Sequence, residues 1–143
     1  MTGSHTVLDS GTVRLEFTTT TPELHEMRAT YAPWSPLPPA HLHPAQTERF
    51  AVHEGELLFL VDGVESTVGA GEVIEVPPGA VHQVCNPGDV PAVATWQTRP
   101  ALRSAEFHCA IAAARESGDL AQLLGVVEEY SDVFVLAPQP VDP

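Results

Sequence analysis

His41-Leu-His-Pro-Ala-Gln-Thr-Glu48, read with Gly71-Glu-Val-Ile-Glu-Val-Pro-Pro-Gly-Ala-Val-His-Gln-Val-Cys-Asn86, decides how this chain folds. His41 and His43 are two residues apart, and on a strand such residues point to one face. Pro44 lets the chain bend before Glu48 returns to that place. Pro77-Pro78-Gly79 is a turn that re-aims the strand carrying His82. Three imidazoles and one carboxylate form a mixed nitrogen and oxygen set, suited to one divalent ion of iron, manganese, nickel, cobalt, copper or zinc. Four protein ligands on an octahedral ion leave two positions for water, substrate or dioxygen. A His-x-His pair alone is often two solvated polar side chains, so the weight rests on its spacing to Glu48 and to the second segment.

Working outward, the flanks read as short strands separated by turns. Arg49 to His53 is β-like, with Glu54-Gly55-Glu56 as a turn. Leu57 to Val61 runs into Asp62-Gly63, a strong hairpin signal, and Val64 to Val68 returns. Val73 to Val76, Val81 to Cys85 and Val93 to Thr98 follow, with breaks at Gly69-Ala-Gly71, Pro77-Pro-Gly79 and Asn86-Pro-Gly-Asp89. Towards the N-terminus, Val13, Leu15 and Phe17 share one strand face, and Met27 to Ala32 is a second strand. Pro33 to Pro39 holds four prolines and lacks the N–H donors of a helix or central strand. Regularly spaced short strands indicate an all-β sandwich or barrel. Residues 1–11 show no pattern and are expected to be a flexible or arm-like terminus.

Beyond residue 100 the period changes. Phe107, Ala110, Ile111 and Ala114 carry helical spacing, and Gly118 ends that helix. Asp119 with Gln122 forms a cap-like start for a second helix through Leu120, Leu123, Leu124 and Val127. Residues 101–143 are therefore a helical tail that packs on the barrel of residues 12–100 or on a partner subunit, with an extended, proline-rich stretch from Ala137.

Composition excludes several functions. The 143 residues are 43% hydrophobic, with 14 prolines and 10 glycines, as a turn-rich folded domain requires. The formal net charge is −13, and the six cations are scattered arginines, so neither nucleic acid nor an anionic membrane is an expected partner. The chain has no lysine, which removes Schiff-base chemistry on a side-chain amine, including pyridoxal phosphate attachment. Cys85 and Cys109 are too few and too far apart for a disulfide framework or thiolate zinc site. No signal-like segment and no bilayer-spanning apolar run is present, so a soluble, cytoplasmic protein is expected.

The two motifs resemble the two-part signature of the cupin superfamily. His41, His43, Glu48 and Gly55 stand at the spacings of its first part, and Gly71, Pro77, Gly79, His82 and Asn86 at those of its second. The first part usually opens on a glycine where this chain has Ser35, a departure at a turn and not at a ligand. The resemblance implies a double-stranded β-helix, or jelly-roll barrel, here with two short C-terminal helices. It implies that His41, His43, Glu48 and His82 are the metal ligands and that a homodimer forms.

The other candidates carry weaker signals. His53 is read as outward-facing by strand parity, and His5, His25 and His108 have no ligand spacing. Phe50, Val52, Phe59, Val84 and Gln97 are candidate lining of a substrate pocket. Gln46, Gln83, Tyr31, Trp34 and Trp96 are further candidates for contacts around the site. On the last strand Thr95 and Gln97 share one face and Trp96 takes the other; which face looks inward is open at this point.

Similar cupins include ring-cleaving dioxygenases, polyketide cyclases, sugar isomerases, decarboxylases and proteins without turnover. The expected function is a metal-dependent enzyme acting on a small aromatic or polyketide-like substrate, oxygenation first, with Glu48 able to leave the metal and act as a base. Cyclisation or isomerisation is the alternative reaction, and a non-enzymatic metal- or ligand-binding module the alternative class.

Overall fold

A computed structural model of the chain describes residues 5–138. Two antiparallel sheets enclose the core. The first has the order β1 (Val7–Asp9), β2 (Val13–Thr20), β3 (His25–Tyr31), β10 (Ala92–Arg99), β5 (Thr47–Glu54) and β8 (Val73–Val76). The second has the order β11 (Val135–Leu136), β4 (His41–Leu42), β9 (His82–Cys85), β6 (Glu56–Val61) and β7 (Val64–Gly69). The helices α1 (Ser104–Ser117) and α2 (Leu120–Glu129) follow β10. Among the described residues no helix is long and apolar enough to cross a membrane.

The turns follow from local chemistry. Asp62 and Gly63 take φ of 47° and 82°, the doubly positive turn that matches strand twist, and close the β6–β7 hairpin at the Val61–Val64 pair. Asp62 then accepts the Val81 N–H on its side chain at 2.9 Å, which ties the hairpin to the entry of β9. Gly118 ends α1 in the left-handed region, and the Asp119 carboxylate caps α2 by accepting from the N–H groups of Ala121 and Gln122. The Asp9-Ser10-Gly11 turn folds β1 back on β2, with the Gly11 N–H bonded to Asp9 Oδ1 at 2.8 Å. Residues 7–9, within the terminus expected to be flexible or arm-like, thus pair with β2 of their own chain. Residues 1–4 and the stretch from Gln139 lie outside the described residues.

The first sheet's inward face is set by parity. Glu48 pairs with Thr98, Phe50 with Trp96 and Val52 with Ala94, so these six share a face. His25, Met27, Ala29 and Tyr31 alternate onto the same side of β3 and are all buried. The facing sheet supplies Leu57, Phe59, Val68 and Val84. A second core unites Phe107 and Ile111 of α1 with Tyr130 and Val133 after α2. On α2 itself no residue is fully buried, and Leu120 and Leu124 are exposed.

The motif residues outside the ligand set join the two segments. The Gly79 N–H donates to the His43 carbonyl at 2.9 Å, so the turn before His82 is fastened to the first histidine pair. Asn86 is buried and donates through Nδ2 to the carbonyls of Tyr31 and Val90, while its Oδ1 accepts from Gly88. Its own N–H donates to Ser35 Oγ at 2.9 Å. The serine at the position where a glycine is usual therefore serves as a buried acceptor bridging both motifs.

Gly55 needs its missing side chain most. Its φ is +70°, and a Cβ there would lie 2.6 Å from the Pro91 carbonyl oxygen. Gly55→Ala is expected to cost more than the about 1–2 kcal/mol of a left-handed alanine alone. Gly63→Ala, with open space around it, should stay near that figure. Urea denaturation midpoints of the two variants check the difference.

Candidate metal centre

β4 and β9 are short, and their register brings two ligands face to face: His41 pairs directly with His82. His43 follows His41 by two residues, and Glu48 rises from the neighbouring sheet on β5. The ring nitrogens of His41, His43 and His82 converge, with ligand atoms all within 4.8 Å of one another. Glu48 Oε1 lies 3.2 Å from His43 Nε2 and 2.9 Å from His82 Nε2. The structure therefore brings together all four residues singled out in the sequence.

Each imidazole is oriented by a backbone carbonyl. His41 Nδ1 donates to Pro39 at 3.0 Å, His43 Nδ1 to Val133 at 2.6 Å, and His82 Nδ1 to Ala80 at 3.0 Å. A carbonyl can only accept, so in the neutral form each ring carries its proton on Nδ1 and has a free Nε2 lone pair, while a protonated ring carries a proton on both nitrogens. Holding the ring by the nitrogen that does not bind is how proteins aim a metal-ligating histidine. Glu48 is held likewise: Trp96 Nε1 donates to its Oε2 at 2.8 Å, which leaves Oε1 towards the histidines.

Lone pairs and a carboxylate in one buried place are unfavourable without a cation. The side chains of Glu48 and His82 are each 2% exposed and that of His43 is 11% exposed. His43 Nε2 and Glu48 Oε1 are both buried without a well-aligned hydrogen bond. Two atoms that each bond one ion at ~2.1 Å and a right angle sit about 3.0 Å apart, close to the two spacings measured from Glu48. The donor set, its orientation and its unpaired atoms all fit a divalent ion.

The protonation pattern has the same origin. Burial opposes charge on Glu48, but the facing His43 and His82 hold its carboxyl well below the usual range. Burial pulls the His43 ring down, while Glu48 and the Val133 carbonyl outweigh it and leave the ring raised. His41 is pushed down to about 4, by burial first and by the nearby His82 next.

The remaining candidates are distributed unevenly. Phe50, Val52, Phe59 and Val84 face the interior beneath the cluster, where they pack against each other in the core. The Phe50 ring meets Phe59 edge-on at 5.0 Å and stacks on Trp96 at 5.1 Å. Gln97 does not join them. Trp96 takes the inward face, so Gln97 turns to the other side and donates to Glu26 Oε2 at 2.8 Å. His53 bonds Thr95 on that outer face. Gln46 is buried away from the lone pairs and donates to the Ala101 carbonyl and Ser104 Oγ, fastening the start of α1.

Two histidines without ligand spacing prove to be close to the centre. His25 is fully buried on β3, bonded through Nδ1 to Thr20 Oγ1 at 3.0 Å, and stacks on His108 of α1 at 5.8 Å between centroids. His108 also meets Trp96 edge-on at 5.2 Å. The parity of His25 with Met27 and Ala29 was the available signal, had the strand been begun two residues earlier. Burial, and then His25, push His108 down to about 3.

A family model described as "Cupin domain" matches residues 27–98, half of the chain. No curated protein matches the sequence. Among solved structures, the chain is similar to an uncharacterized conserved protein with a double-stranded beta-helix domain from Klebsiella pneumoniae. Identity is 21% and TM-score 0.59, over 66% of this chain and 77% of that one. It is similar to a sugar phosphate isomerase of the cupin superfamily from Silicibacter pomeroyi at 21% identity and TM-score 0.56, over 62% of this chain and 59% of that one. KdgF from Halomonas sp. aligns at 15% identity and TM-score 0.58, over 67% and 88%. These likenesses are of fold.

Two outcomes follow from the geometry. Trp96→Phe removes the donor that holds Glu48 Oε2, and a loss of about 10–100-fold in divalent-metal affinity is expected, as for other groups that orient a ligand; metal titration by calorimetry reads it. His108 binds a proton less readily folded than unfolded, where its pKa is about 6.5. Its neutral form therefore stabilises the fold fully above that pH, and this contribution is lost as pH falls from 6.5 towards about 3. In urea titrations of metal-free protein across that range, His108→Gln should flatten the acid loss of stability.

Proposed function

On the premise that the chain belongs to the cupin family, we propose that it is a metal-dependent enzyme acting on a small organic molecule, with oxygenation of an aromatic or polyketide-like substrate as its reaction. One observation carries this reading. All three imidazoles are fastened by Nδ1 to backbone carbonyls and direct free Nε2 atoms, with Glu48 Oε1, to one buried point. A set of four on an octahedral ion leaves positions for substrate or dioxygen.

When bound, a divalent ion supplies Lewis acidity and, if redox-active, a route for electrons to dioxygen. The residues supply the rest. His41, His43 and His82 hold the ion, and their backbone partners keep the rings from turning. Glu48 is an anion at neutral pH; were its Oε1 to leave the ion, that oxygen would accept a substrate proton while Oε2 remains bonded to Trp96. The packed aromatic floor of Phe50, Phe59 and Trp96 excludes water from below, so a substrate meets the centre from the side of His41 and His43. An enzyme-catalysed cyclisation or isomerisation needs the same set without dioxygen, and the fold similarity to a sugar phosphate isomerase supports keeping it as the alternative. The near-closed centre favours, as a second reading, a cupin that holds its ion or a ligand without turnover.

Protein loaded in turn with Fe2+, Mn2+, Ni2+, Co2+, Cu2+ and Zn2+ is expected to consume oxygen with a phenolic substrate for at least one metal, and His82→Ala to abolish both uptake and tight metal binding. Turnover that persists without oxygen selects the cyclase or isomerase. Tight metal binding with no turnover of any tested substrate selects the binding module.

A further inference from the structure

The residues after α2 reach back across the chain to the metal centre. Val133 is buried, and its carbonyl receives the His43 Nδ1 proton at 2.6 Å. The next residue, Phe134, stacks its ring on His41 at 4.7 Å with an interplanar angle of 24°, and approaches His43 at 6.2 Å. β11 then pairs with β4, Val135 opposite Leu42 and Leu136 opposite His41, and the Ala137 N–H donates to the Ala40 carbonyl. Two of the four ligands are thus oriented or covered by a segment that belongs to neither motif.

That segment has its own anchor. Arg103, just before α1, donates through Nε and Nη2 to the two carboxylate oxygens of Asp132 at 3.1 and 2.5 Å, and through Nη2 to the Glu129 carbonyl at 2.8 Å. Its guanidinium lies 4.4 Å over the Tyr130 ring. A two-pronged ion pair with a stacked aromatic fixes orientation as well as position. Tyr130 and Val133 fill the second core beside Phe107 and Ile111, and Phe107 stacks on Phe134 at 4.8 Å.

We infer that residues 129–137 form a strap, anchored by Arg103 on Asp132, that positions His43 through the Val133 carbonyl and walls the metal centre with Phe134. Val133 and Phe134 are positioning residues for the metal. Because the strap orients a ligand, ion binding and strap seating favour each other, and by linkage each strengthens the other by the same factor. The strap also covers the side from which a substrate approaches, so its release admits one.

The inference rests on the metal reading and fails separately from it. Hydrogen exchange on the full chain, with and without Co2+, reads the strap directly. Co2+ is expected to slow exchange across 129–137 by about fivefold or more, within the usual range of such coupling. Arg103→Gln, a change at a partly exposed side chain, is expected to weaken Co2+ affinity by about 10–100-fold and to shift the visible Co2+ absorption bands, with Arg103→Lys recovering part of both. If Co2+ binds wild-type protein tightly but leaves exchange in 129–137 unchanged, or Arg103→Gln matches the wild-type affinity and spectrum, the strap is overturned and the metal reading stands. If the wild-type protein binds no divalent ion, both are overturned.

Discussion

A buried carboxylate is the constraint on which the rest of this structure depends. Glu48 sits on a central strand with its charge turned inward, where an uncompensated ion costs several kcal/mol. Its two oxygens meet different surroundings. Trp96 on the neighbouring strand donates to one oxygen, and His43 and His82 from the other sheet face the second. The same carboxylate thus joins the two sheets and organises the donor set. A divalent ion held by these donors would complete that compensation.

Much of the architecture could be read from the chain because its turns are chemically explicit. Asp62-Gly63, Pro77-Pro78-Gly79 and Gly118-Asp119 each demand one backbone conformation, and the elements between them fall where the turns leave room. The convergence of His41, His43, Glu48 and His82 could be expected for the same reason: their spacing is fixed by turns. The pocket candidates were less so. Phe50, Val52, Phe59 and Val84 are apolar and inward-facing, but apolarity does not separate a packed floor from an open lining. Gln97 depended on the sense of one strand, which only pairing with β3 and β5 decides.

What stayed hidden in the sequence is what depends on contacts distant along the chain. β11 is two residues long and carries no periodicity. Val133 acts through its carbonyl, a group every residue has, so no side-chain pattern could announce it. His25 of β3 and His108 of α1 come together only when the helix packs on the first sheet: the two rings stack, and His108 meets Trp96 edge-on. Burial lowers the pKa of both rings, which favours their neutral forms.

The bond between His43 and Val133 spans 90 residues of sequence, and this sets an order of events during synthesis. The histidine pair, Glu48 and His82 all leave the ribosome before the carbonyl that locks the His43 ring exists. A nascent barrel can therefore gather its donors early, yet the His43 ring stays free to rotate until both helices have been made and docked. The His41 and His82 rings rest on the nearby carbonyls of Pro39 and Ala80 and can be fixed as they emerge, so the His43 ring is the last of the three to take its final orientation.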